Sequence, residues 1–182
     1  MIARKFKIFL SLFSLSILLF GSSKCFAKIP ENPVKFFDST NCKGYEYFIN
    51  RGILFDSTSN INLYNEIYGW IGVPYRRGGK TKAGADCSGF ASQIYNLVYS
   101  IKVSGSAGDI YKALKPIDKS ELKEGDLIFF KINRYYISHV GIYLSNNKFI
   151  HATSYGKSVT INDLNSPYYK RYYFSAGRYV KE

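Results

Sequence analysis

The chain is poor in cysteine and histidine, the usual ligands of structural zinc. Its 182 residues include only three cysteines and two histidines, and neither a CxxC nor an HxxxH spacing occurs. A structural zinc site normally takes four such ligands, so this pattern argues against a zinc domain. The lysines form no single dense run, which disfavours nucleic-acid binding despite a net charge of +12. We therefore expect no cofactor, no metal and no nucleic-acid partner.

The sequence shows no internal repeats and no low-complexity segments, and we expect no second binding module. The length suits one domain with a real core, and a hydrophobic share of 46% indicates a globular chain. Aromatic residues make up 18%, and tyrosine suits half-wet sheets and grooves because its apolar ring ends in a polar group. We expect a monomer.

The N-terminus has the features of an export signal. A basic opening precedes the apolar run Ile8–Phe20, which is too short to span a bilayer comfortably. Small residues, Cys25 and Ala27, favour cleavage after Ala27. The alternatives are lipidation of Cys25 and a retained anchor. We expect a signal peptide over 1–27 and export to the periplasm, cell wall or medium. No membrane span then remains, and the protein would be membrane-anchored only if the signal is retained or Cys25 is lipidated.

The remaining chain divides into an N-terminal arm, 28–59, and a catalytic domain, 60–182. The arm is polar and weakly periodic, and we expect it to pack partly on the domain. Helical spacing begins at Ile61, and a second helix has Phe90, Ile94, Leu97 and Ile101 on one face. A loop follows near 104–108. Short strands are predicted over 126–132, 137–144, 148–153 and 158–161, with one more within 168–180.

The segment DCSGF gives one cysteine a special position. Asp86 is a good N-cap, so Cys87 becomes the first residue of its helix. Backbone amides and the helix dipole favour an anion there, which predicts a lowered thiol pKa and a nucleophilic sulfur. The plainer interpretation is a buried Cys87 that acts as a small hydrophobe.

The only two histidines fall on neighbouring predicted strands, and the turn between them decides whether they meet. A two-residue loop at 146–147 would put His139 and His151 on opposite faces of the sheet. A three-residue loop, 145–147, pairs Gly141 with His151 and makes the histidines diagonal neighbours. We predict this longer loop, with Asn147 in the left-handed conformation. His139 would then take the thiol proton, and His151 would orient the His139 ring.

Five segments resemble one family when taken in order: GVPYRRGG, DCSGF, KEGDLIFF, SHVGIYL and KFIHA. From about Leu63 onward the chain is similar to the NlpC-type cell-wall cysteine peptidases. The resemblance implies an α+β, papain-like fold, with N-terminal helices that carry the nucleophile packed on an antiparallel sheet that carries the histidines. It also implies cleavage of peptidoglycan stem peptides, typically after D-γ-glutamyl and before diaminopimelate or lysine. Cys87 corresponds to the nucleophile, His139 to the base and His151 to the third polar residue.

The resemblance also suggests residues that bind substrate. Tyr75 matches a family tyrosine near the sulfur, and Asp86 and Ser88 match positions that line the cleft, although a capping role is equally open for both. Arg76, beside the site, could pair with substrate carboxylates. Asp126 matches a family position that we interpret as structural, anchoring a turn.

Three other functions stay open from the sequence. One is an amidase of the same broad fold that cuts between muramic acid and L-alanine. Another is a non-catalytic wall-binding protein. The last is redox control, in which Cys42 cross-links to Cys87. Cys42 is otherwise a small semi-buried residue.

Overall fold

The computed structural model describes residues 41–179. The expected signal peptide and residues 28–40 of the arm lie outside the described residues, so these interpretations stay predictions. Within 41–179, no helix combines the length and the apolar character that crossing a bilayer requires. The helices are α1 Tyr45–Ile49, α2 Ile61–Tyr68, α3 Cys87–Tyr99, α4 Ala107–Lys112 and α5 Pro167–Tyr172. The strands are β1 Lys80–Thr81, β2 Gly84–Ala85, β3 Lys115–Ile117, β4 Leu127–Phe130, β5 His139–Tyr143, β6 Lys148–Thr153, β7 Ser158–Asp163 and β8 Tyr173–Arg178.

Six strands form one antiparallel sheet, in the order β3-β8-β4-β5-β6-β7, and β1 and β2 make a separate small hairpin. The helix that begins at Cys87 precedes this sheet, and both histidines lie on its strands. The predicted α+β, papain-like arrangement is therefore confirmed.

Both faces of the sheet are buried. Side chains alternate along a strand, so Phe129 of β4 enters the larger core beneath α2 and α3, whereas Phe130 enters a smaller cluster on the opposite face. Val140 and Ile142 of β5 join the larger core. The smaller cluster, which includes Phe149 and Tyr169, surrounds the histidines.

The hairpin between β5 and β6 has the predicted three-residue loop. Ile142 pairs with Ile150, and the Leu144 amide donates to the Lys148 carbonyl at 2.9 Å. Asn147 has a φ of 58°, as predicted, and Asn146 is also left-handed at 49°. This register puts His139 and His151 on the same face of the sheet.

Helix α3 differs from its predicted apolar face. Phe90 and Ile94 are buried, but Leu97 is 53% exposed and Ile101 lies beyond the helix. The helix ends at Tyr99 because Ser100 takes a left-handed conformation, with a φ of 58°. The buried stripe instead runs through Ala91 and Tyr95.

Two segments are more ordered than the sequence suggested. Residues near the predicted loop at 104–108 begin α4, where Ser106 and Asp109 form a reciprocal capping box. In the described part of the arm, Phe48, Ile53 and Phe55 are buried in the larger core. This part of the arm therefore contributes directly to the core.

Candidate active site

Asp86 fixes the start of α3 and the loop in front of it. Its Oδ1 accepts the Gly89 amide at 2.7 Å and the Ser88 hydroxyl at 3.0 Å, and its Oδ2 accepts the Gly78 amide at 2.7 Å. The predicted N-cap is confirmed, and Cys87 is the first helical residue. Glycine is needed at position 89, because a Cβ there would lie 2.1 Å from the Gly79 carbonyl oxygen.

Cys87 and His139 line the same pocket. This cavity of about 230 Å³, here called the thiol pocket, also has Tyr75 on its wall. Its other lining residues are Ile132, Asn133, Tyr136, Ser138, Thr153, Ser154, Tyr155, Tyr168 and Tyr169. The structure thus brings three of the predicted site residues together around one small cleft.

The electrostatic environment of the thiol differs from the sequence-based prediction. Burial raises the pKa of Cys87 above its ordinary value, and a hydrogen bond with the Val140 backbone opposes this increase only in part. The nearby Asp86 carboxylate raises the pKa further. The prediction of a lowered pKa at the helix start is therefore wrong, because desolvation outweighs the helix-start amides.

The two histidines form a buried, directly bonded pair. His139 Nε2 lies 2.5 Å from His151 Nδ1, and the side chains are 7% and 0% exposed. Burial lowers the pKa of His151 to about 4. Burial, followed by the neighbouring His151, also lowers the pKa of His139 well below its usual value. Both rings are therefore neutral near pH 7.

Two residues that the sequence analysis missed complete this arrangement. Asn162 Oδ1 lies 2.8 Å from His151 Nε2, and the Tyr169 hydroxyl lies 3.3 Å from the same nitrogen. The predicted strand stopped at 161, one residue short of Asn162. In the observed register, Asn162 lies opposite Phe149 and diagonal to His151.

The remaining predicted residues lie outside the lining of the thiol pocket. Ser88 donates to Asp86, Asp86 also accepts the Gly78 amide of the loop, and Arg76 is exposed on that loop. Asp126 has the predicted structural role: it accepts the Lys123 amide at 2.6 Å before β4 and pairs with Arg178 at 2.7 Å.

Other places in the described chain lack the groups that a second catalytic site would need. Cys42 and Cys87 are both free and buried in the described chain. Within residues 41–179, no three His, Cys, Asp or Glu side chains cluster as metal ligands would. A larger cavity of about 680 Å³, lined by residues such as Asn60, Glu124 and Ser145, contains neither a cysteine nor a histidine.

The chain resembles known proteins in both sequence and fold. The chain is 42% identical over 117 residues to the probable endopeptidase NlpC homolog of Haemophilus influenzae, covering 64% of this chain and 60% of that protein. It is 38% identical over 109 residues to murein DD-endopeptidase MepS/murein LD-carboxypeptidase of Escherichia coli, covering 60% and 57%. A crystal structure of an NlpC/P60 family protein from Bacillus cereus is 33% identical, with a TM-score of 0.62, over 68% of this chain and 41% of that chain.

These matches cover less than two thirds of each relative's own length. The family model described as NlpC/P60 matches residues 72–178, more than half of the chain. That range includes Cys87, both histidines and Asn162. The chain therefore belongs to the NlpC/P60 family.

Proposed function

We propose that this protein is an exported cysteine endopeptidase that hydrolyses peptide bonds in peptidoglycan. The observation that carries the proposal is the presence of Cys87 and His139 on the wall of one pocket, with His139 bonded to the buried His151. The names of the two endopeptidase relatives support the same class of reaction. In this proposal Cys87 is the nucleophile, His139 the base and His151 its positioning partner.

The hydrogen bonds support one assignment of protons along the relay. If Asn162 Oδ1 accepts the Nε2–H of His151, then His151 Nδ1 carries a lone pair. That lone pair accepts the Nε2–H of His139, and Nδ1 of His139 is left unprotonated. A neutral His139 with a free Nδ1 is the form that can accept a thiol proton.

The raised pKa of Cys87 and the lowered pKa of His139 favour a resting site in which the thiol and the imidazole are both neutral. Proton transfer from Cys87 to His139 then accompanies attack of the sulfur on the substrate carbonyl. The imidazolium of His139 gives its proton to the leaving amine, which breaks the peptide bond and leaves a thioester. Water, deprotonated by His139, hydrolyses the thioester and restores the thiol. Tyr75, on the same wall, would contact the substrate near the sulfur.

The bond itself has two candidates. The family resemblance favours cleavage after D-γ-glutamyl and before diaminopimelate or lysine. The Escherichia coli relative carries the name DD-endopeptidase, which instead favours the cross-link between stem peptides. In either case Asp86, Ser88 and Arg76 stay proposed substrate contacts on the glycine-rich side of Cys87.

Product masses from purified peptidoglycan test the proposal. Wild type and Cys87→Ala are compared, with circular dichroism as the check that the variant folds. Release of L-Ala-D-Glu supports the first bond, and separated cross-linked dimers support the second. Bare glycan with intact peptides identifies an amidase instead. If wild type and Cys87→Ala both leave the polymer unchanged, a non-catalytic wall-binding role replaces the proposed function.

A further inference from the structure

A second cavity adjoins the thiol pocket. It has a volume of about 500 Å³, and we call it the tyrosine cavity. Its lining residues are Thr153, Tyr155, Gly156, Thr160, Asn162, Tyr168 and Tyr169. Four of these, Thr153, Tyr155, Tyr168 and Tyr169, also line the thiol pocket. A polymer that lies across this shared wall would therefore occupy both cavities at once.

The chemistry of the lining restricts what the tyrosine cavity can bind. Three of its seven lining residues are tyrosines, two threonines and an asparagine supply hydroxyl and amide groups, and no lining side chain carries a formal charge. A carboxylate or ammonium group buried here would have no ionic partner, which is costly. An uncharged ring with apolar faces and polar edges suits both the aromatic surfaces and the hydrogen-bonding groups.

The wall between the two cavities is held in place by the loop that carries Tyr75. The turn joining β6 and β7 contains Tyr155, Gly156 and Lys157. The Tyr75 amide donates to the Lys157 carbonyl at 2.8 Å, and Pro74 forms a β-bridge with Ser158. Tyr155 itself is 94% exposed, so a ligand would bury an aromatic ring that projects from a fixed backbone.

We propose that the tyrosine cavity is a saccharide subsite that binds a pyranose ring of the peptidoglycan glycan strand, with Tyr155 as its stacking residue. The inference rests on the proposed function for the choice of polymer. Stem peptides carry carboxylate and amino groups, whereas the amino-sugar rings of the strand are uncharged. The cavity therefore complements the sugar portion of the polymer better than the peptide portion.

The test uses two substrates that both contain the bond that the wild type cleaves. One is a muropeptide with its disaccharide, and the other is the same peptide without sugar. The measured quantity is kcat/KM for the first substrate divided by kcat/KM for the second. We expect Tyr155→Ala to lower this ratio about tenfold, because the stacking contact exists only with the sugar-bearing substrate. Tyr135→Ala is the matched control, because Tyr135 is 90% exposed but lines neither cavity. An unchanged ratio in Tyr155→Ala, or an equal fall in Tyr135→Ala, overturns the inference.

A binding measurement separates this inference from the proposed function. If wild type cleaves neither substrate, the proposed function fails, but the subsite can still be tested with a soluble tetramer of N-acetylglucosamine. Binding that is at least about fivefold weaker in Tyr155→Ala than in Tyr135→Ala supports the saccharide subsite. No binding of the tetramer by wild type, or equal binding by both variants, overturns it.

Discussion

His139 and His151 meet inside the smaller core cluster, with Nε2 of the first 2.5 Å from Nδ1 of the second. Phe130 and Phe149 pack beside the two rings and exclude water from them. The packing that fixes this geometry also lowers the pKa of both histidines. The geometry of the two histidines and their lowered pKa values therefore have a common cause in this packing.

Replacing Asn162 should separate its role as a hydrogen-bond acceptor from its role in packing. Asn162→Leu removes the acceptor for His151 Nε2–H, and we expect kcat/KM to fall about 100-fold, within the usual range for general base catalysis. Asn162→Asp keeps an acceptor and adds a negative charge, so it should retain most activity and move the acidic limb of the pH–rate profile to higher pH. Equal losses in both variants, with no movement of the limb, would leave Asn162 with a structural role only.

Stability should fall in mild acid because of the same histidines. The pKa of His151 is about 4 in the folded protein and 6.5 by its ordinary value. Above pH 6.5 both states are neutral at this position. Between pH 6.5 and 4 only the unfolded state gains the proton, so the free energy of unfolding falls as pH falls. The loss from His151 alone should reach between about 2 and 3 kcal/mol by pH 4.5.

Urea unfolding from pH 7.5 to 4.5 measures this effect. His151→Asn is the matched variant, since it keeps a polar side chain and removes the titrating ring. Its stability should depend less steeply on pH than that of the wild type. The same pH dependence in both proteins would mean that other groups dominate acid destabilisation.

Alkylation of Cys87 tests the direction of its pKa shift. Because burial raises the pKa, half-maximal reactivity toward iodoacetamide should lie above pH 9.0, the ordinary thiol value. The rate is followed by the mass of the peptide that contains Cys87, so Cys42 does not interfere. A midpoint below pH 7 would show instead that the helix start and His139 stabilise a thiolate despite burial.

The sequence predicts most of the backbone that positions the site. The turn at 145–147 settles the histidine register, because asparagine tolerates left-handed conformations and alternation then fixes the face. Asp86 predicts the start of α3 because its side chain is short enough to cap the helix. These features depend on local chemistry, which a single sequence contains.

Features that depend on long-range burial are harder to predict. The pKa of Cys87 depends on how completely the folded chain excludes water from the sulfur, and a capping motif carries no such information. Tyr169 reaches His151 because α5 crosses the smaller core cluster, 18 residues further along the chain. Asn162 lies near His151 because of the register between β6 and β7, which no predicted turn fixed.

The ion pair between Asp126 and Arg178 should be the strongest charge contact among the described residues. Asp126 is almost fully buried, and two guanidinium nitrogens of Arg178 reach its carboxylate at 2.7 Å.

Arg178→Met leaves a buried carboxylate without its ionic partner, and we expect a loss of about 3 kcal/mol in the free energy of unfolding. Asp126→Asn combined with Arg178→Met should recover part of that loss, because no charge is then left buried. Lys112→Met is the control, since its pair with Asp109 is largely exposed and should contribute little to stability. Equal urea midpoints for Arg178→Met and Lys112→Met would contradict this ranking of the two ion pairs.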